Sequence, residues 1–130
     1  MTDTQASIAH PGVNPETQAY WDAAAAGRLL VRHCTSCGKD HFYPRAACPH
    51  CRSAATEWKE ARGSGTIYSY SVMRRASPPF AVAYVTLDEG PTMFTNMVEC
   101  DLDTLAIGQA VEVTFVPAND GLVLPVFRPR

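Results

Sequence analysis

No histidine follows His50 in this 130-residue chain, and lysine occurs only at Lys39 and Lys59. The first absence removes any Ser/His/Asp or Cys/His nucleophile–base set from residues 51–130. The G-x-S-x-G, H-E-x-x-H, phosphate-loop lysine and dinucleotide-binding glycine motifs are missing as well. A self-contained active site is therefore not expected. No apolar run approaches the roughly 18 residues of a membrane span. The opening MTDTQASIAHPGVNP lacks a basic-then-apolar signal pattern. A cytoplasmic protein without membrane contact is the expectation. Long helices are also lacking, because ten prolines and eight glycines punctuate the whole length. The chain is too short for a (β/α)₈ barrel of roughly 250 residues. What is present, 46% hydrophobic and 18% charged residues, describes a globular chain.

The net charge of −2 conceals a strong asymmetry. Residues 1–27 carry three acids and no base, and residues 28–75 carry nine Lys/Arg against three acids. Residues 76–127 then carry seven acids and no base, and Arg128 and Arg130 close the chain. Seven of the nine central cations are arginine, whose planar fork suits bidentate contact with phosphate or carboxylate. A solvated surface with chance clustering is the alternative to a binding role.

Four of the five cysteines form two C-x-x-C pairs, Cys34/Cys37 and Cys48/Cys51. Two such knuckles supply the four soft ligands of a tetrahedral zinc site; iron fits the same spacing. Gly38 follows the first knuckle, where a left-handed residue is needed, but Arg52 follows the second. A redox pair would sit alone at a helix start after a strand, and structural disulfides disagree with a reducing compartment. His33, His41 and His50 lie close enough to replace a thiolate, although exposure or packing against the ribbon is the plainer expectation. With every coordination position filled by protein, the metal is structural, and it must supply folding energy that some thirty residues cannot bury for themselves. Cys100 stands between Glu99 and Asp101, which disfavour a thiolate, so a passive thiol is expected there.

Asn14-Pro15-Glu16 predicts a helix start and Gly27 its end, with Tyr20, Ala23, Ala24, Leu29 and Leu30 on one face and Trp21 at its edge. Such a face packs on its own protein or docks a partner. Beyond Trp58 five short runs rich in β-branched and aromatic residues predict strands at 65–73, 80–87, 92–98, 110–116 and 122–127. Asp88-Glu89-Gly90 reads as a hairpin, residues 101–106 as a brief helix ended by Gly108, and Gly63-Ser64-Gly65 as a linker. Pro125 suggests an edge or bulge position in the last strand. The fold class is mainly β: an N-terminal tail and helix over 1–28, a rubredoxin-like zinc ribbon over 29–60, and a five-stranded OB-fold barrel over 61–130. An SH3-like barrel is the competing assignment.

RLLVRHCTSCGKDHFYPRAACPHC, followed by GSGTIYSYSV, LDEGP, IGQAVEV and LPVFRP, closely resembles the acyl-CoA-associated zinc-ribbon/OB-fold family over residues 20–129. Arg52, where that family usually has glycine, is the main departure. The resemblance implies a small, non-catalytic partner of a thiolase-superfamily enzyme, either an acyltransferase or a lipid-transfer-protein-like aldolase, or of an acyl-CoA hydratase. The large partner would carry the nucleophile or base, and the small one would complete the complex and hold or channel the CoA thioester. Arg74 and Arg75, then Arg62, are the residues placed on the CoA phosphates. Tyr68, Tyr70 and Phe80 either flank a pantetheine channel or fill the barrel core. Two other readings stand beside this one. A purely structural subunit would contact no ligand, and a single-stranded nucleic-acid binder would need a positive groove with stacking aromatics. A pI of about 6.0 and an acid-only stretch over four of the five strands weigh against the latter.

Overall fold

A computed structural model describes residues 14–118 and 122–130. The first element is helix α1 (Gln18–Ala25). It starts one turn later than its sequence signature, because Asn14 caps a preceding turn: its Oδ1 accepts the Thr17 N–H at 3.1 Å. Glu16 does not serve the helix dipole alone, since its carboxylate accepts the Ala46 N–H at 2.7 Å and ties the helix entry to the cysteine-bearing loop. At the far end Arg28 N–H bonds the Ala23 carbonyl and Gly27 N–H that of Ala24, the paired bonds of a Schellman stop. Tyr20, Trp21, Ala23 and Ala24 are buried, and the helix packs on the first and last strands of the chain. The apolar face is thus covered by the protein itself.

Strands β1 (Leu30–Cys34), β2 (Asp40–His41) and β3 (Thr56–Glu60) form an antiparallel sheet in the order β2-β1-β3. Strands β4 (Ser64–Met73), β5 (Phe80–Leu87), β6 (Thr92–Met97), β7 (Ala110–Pro117) and β8 (Val123–Pro129) close a barrel in the order β4-β5-β6-β8-β7. Closure comes from β7 returning to β4, with Gly65 opposite Val111. The parallel β6–β8 contact rests on the single pair Met97–Phe127. That order, with one parallel seam, is the Greek-key barrel of the OB-fold and excludes the SH3-like alternative. Pro125 lies on the stretch of β8 that β7 flanks but β6 does not, an edge position as its ring requires.

Three expectations change. Residues 101–106 form one turn and no helix, with Thr104 N–H on the Asp101 carbonyl and Asp103 N–H on the Asp101 carboxylate. Aspartate's side chain competes for backbone donors here, and the buried Leu105 pins the segment to the core before a second turn can form. Gly63-Ser64-Gly65 is not a linker: Ser64 and Gly65 belong to β4, and a Cβ on Gly65 would run into the Thr86 carbonyl oxygen. Tyr68, Tyr70 and Phe80 do not fill the barrel. Ile67, Ala81, Ala83, Val85, Met93, Met97, Val111 and Phe127 do, and small residues on β5 suit the narrow interior. The same core continues into Leu29, Leu30 and Val31, so helix, ribbon and barrel share one apolar interior.

Candidate metal centre and ligand surface

Each C-x-x-C pair turns through a knuckle built alike. Gly38 N–H bonds the Cys34 carbonyl at 2.8 Å, and Arg52 N–H bonds the Cys48 carbonyl at 2.7 Å. Gly38 and Arg52 both take the left-handed conformation, φ 78° and 68°. Arg52 therefore does the work of glycine and leaves the second knuckle's geometry intact. Amides within the knuckles point at sulfur: Cys37 N–H at Cys34 Sγ, 3.4 Å, and His50 N–H at Cys48 Sγ, 3.3 Å. The Cys37 amide is the main reason the Cys34 thiol is pulled down to about 7. The four Sγ atoms lie within 4.8 Å of one another, with Cys34–Cys51 at 3.5 Å and Cys37–Cys48 at 3.7 Å. A tetrahedron of about 2.3 Å zinc–sulfur bonds needs edges of about 3.8 Å, so the donor set fits the ion.

The histidines are not among these ligands. His41 is buried, with Nε2 accepting the Arg45 N–H at 3.3 Å, and burial holds its pKa below the usual range. His33 Nδ1 lies 2.5 Å from Asp40 Oδ1, and Lys59 Nζ bonds Asp40 Oδ2 at 2.7 Å. Burial opposes the Asp40 charge, but hydrogen bonds from Lys59 and His33 win and its pKa falls. Arg32 bonds Thr56 Oγ1 at 2.7 Å and stacks over Trp58 at 4.5 Å. These contacts brace the ribbon sheet around the cysteines. Cys100 is apart from the cluster, its thiol pushed up by burial and by Asp101.

The three arginines fall into two places. Arg74 and Arg75 are exposed on the β4–β5 loop, where Arg74 pairs with Asp103 at 2.9 Å. Arg62 is exposed at the ribbon–barrel junction, its backbone N–H on Glu89 Oε2. The ten residues of β4 separate them by roughly 30 Å, so no single phosphate group meets all three.

Residues 21–57 match the family described as the ChsH2 rubredoxin-like zinc ribbon domain, and residues 58–116 match the ChsH2 C-terminal OB-fold domain. A "DUF35 domain-containing scaffold protein" from Methanothermobacter thermautotrophicus is 37% identical over 94 residues, 67% of this chain and 71% of the relative. The chain belongs to the ChsH2/DUF35 family. A solved structure of an "Ltp2-ChsH2(DUF35) aldolase" contains a chain 35% identical, superposing with a TM-score of 0.81 over 92% of this chain and 98% of that one. A "probable enoyl-CoA hydratase alpha subunit" from Thermomonospora curvata is 36% identical over 92% of this chain. This chain spans only 39% of that relative's length.

On this ChsH2/DUF35 scaffold, one surface was missed by reading the sequence. Tyr84 and Phe94 are cross-strand partners on the outside of β5 and β6, 47% and 55% exposed, with ring centroids 5.1 Å apart. They border a groove of about 590 Å³ that α1 closes with Tyr20 and Trp21, the ribbon with Phe42 and Tyr43, and β8 with Leu124 and Pro125. The signal was available in part: Tyr84 and Phe94 stand out of phase with Ala83 and Val85, and with Met93 and Thr95, which point inward. Tyr68, at a bulge of β4, is 67% exposed, Tyr70 is exposed, and Phe80 is half-buried. Among the described residues no helix is long and apolar enough to cross a membrane.

Proposed function

We propose that this chain is a non-catalytic accessory subunit that binds a thiolase-superfamily enzyme and helps hold its acyl-CoA substrate. One observation carries the reading: a chain named within an aldolase complex is matched over 98% of its length at 35% identity. The lack of a catalytic set agrees with it. The four cysteines take every position of a tetrahedral centre, which leaves no open site for water or substrate. Zinc is the ion we assign to Cys34, Cys37, Cys48 and Cys51, and its contribution is to hold the ribbon folded. Arg74 and Arg75, adjacent and exposed, are the residues we place against the CoA phosphates. Arg62, the third arginine placed on CoA, stands at the other end of β4, too far to meet the same phosphate group as Arg74 and Arg75.

Affinity purification of the tagged full chain from its own cells, with nuclease treatment and mass spectrometry, tests the partner. Near-stoichiometric recovery of a thiolase-like subunit supports the reading. A hydratase subunit would redirect it to hydration, and nuclease-sensitive material alone would overturn it in favour of nucleic-acid binding. Substituting both Arg74 and Arg75 by alanine should weaken acyl-CoA binding roughly tenfold or more while the complex stays assembled. Unchanged affinity would leave a subunit that stabilises its partner without touching the ligand.

A further inference from the structure

None of the residues that line the aromatic groove is charged. In a chain that is 18% charged, this excludes phosphate, polycarboxylate or nucleic-acid backbone as occupant, since each would be desolvated there without a counter-ion. Its volume of about 590 Å³ falls in the range of small-molecule pockets, which are mostly apolar with a few polar groups. Here those groups are the tyrosine hydroxyls and the side chains of Thr92, Thr95 and Asn96. The slot exists because β6 and β8 are paired only at Met97–Phe127 and are otherwise unpaired with each other. Aromatic rings of α1 and the ribbon wall one side, and Tyr84 and Phe94 the other.

We propose that this groove is a binding site for the uncharged, apolar acyl portion of a thioester. The inference rests on the reading of the chain as an acyl-CoA-holding subunit and adds the place where the acyl group lies. Tyr84 stands four residues along β5 from Phe80, the residue at which the Arg74–Arg75 loop ends. That is about 13 Å of strand, a separation that an extended pantetheine arm bridges. Phosphates at the loop and acyl group in the groove are thus compatible with one bound molecule.

Trp21 lines the groove and supplies a reporter, because the chain has two tryptophans and the other, Trp58, stacks on Arg32 in the ribbon. In the full chain carrying Trp58→Phe, titration with hexanoyl-N-acetylcysteamine, an uncharged thioester without phosphates, should shift Trp21 emission saturably. Phe94→Ala should weaken that binding about tenfold or more, whereas Ile107→Ala, exposed and outside the groove, should not. Far-UV circular dichroism and metal content establish that both variants are folded. The proposal is overturned if the thioester gives no saturable change, or if Phe94→Ala binds it as tightly as the parent. A Trp21 signal that ignores the thioester but responds to the partner subunit would assign the groove to protein docking and equally overturn it. Binding of hexanoyl-CoA that depends on Arg74 and Arg75 but survives Phe94→Ala would sink this inference alone. Loss of every acyl-CoA response, in the chain and in its complex, would sink the functional reading with it.

Discussion

At φ 68° Arg52 holds a conformation that costs a side-chain-bearing residue about 1–2 kcal/mol. The second knuckle tolerates it because only that turn lets the Arg52 N–H reach the Cys48 carbonyl and bring Cys51 to the cluster. Arg52→Gly removes the strain but adds roughly 0.4–1 kcal/mol of unfolded-chain freedom. Its net effect on the urea midpoint of the metal-loaded protein should stay within about 1 kcal/mol. Gly65→Ala is the opposite case: its Cβ would meet the Thr86 backbone, which cannot swing aside, and the loss should reach about 3 kcal/mol. Asp40 gives a pH test at the same scale. Its folded pKa lies below the ordinary carboxylate value, so its stabilisation is present above about pH 4 and is lost as pH falls through the depressed pKa. The melting-temperature gap between wild type and Asp40→Asn should therefore be wide at pH 7 and shrink toward pH 3. A gap independent of pH would assign the loss to shape and not to charge.

Among the elements, ribbon and barrel differ in what holds them. The ribbon sheet has five-, two- and five-residue strands and few large buried side chains of its own, so the metal must supply most of its folding energy. Structural zinc binds small ribbons with roughly 10–16 kcal/mol of apparent free energy. Chelation should abolish amide protection over residues 30–60 in hydrogen exchange while β4–β7 remain protected; simultaneous loss in both would mean that they unfold as one unit. The turn and strand boundaries of the barrel were legible because proline, glycine and aspartate punctuate alternating runs. The turn at 101–106 was misread because two aspartates and the burial of Leu105 override a local helical pattern.

For the whole molecule, the shared core running from Tyr20 through Val31 to Phe127 makes helix, ribbon and barrel one body, with the aromatic groove at their junction. Exposed aromatics on the β5–β6 face are half of what a single-strand binder needs; the other half, a cationic lining, is absent from the groove. A labelled oligonucleotide at physiological salt should consequently show no saturable anisotropy change below about 100 μM. Tight, salt-dependent binding would restore the nucleic-acid reading.

The four cysteines that meet in one cluster and the order of the five barrel strands along the chain were legible in the sequence alone. Each of these is a matter of spacing, periodicity or residue type within a short window. The folded structure was needed to show that Arg52 takes the left-handed turn in place of glycine, and that Tyr68, Tyr70, Tyr84 and Phe94 face outward while Phe127 faces in. The groove belongs to the same class. Its walls come from residues 20–21, 42–43, 84, 92–96 and 124–126, which become neighbours only when the barrel closes through one seam pair and the helix packs over the opening. No local pattern encodes that meeting, because it depends on where strands diverge and not on which residues they contain.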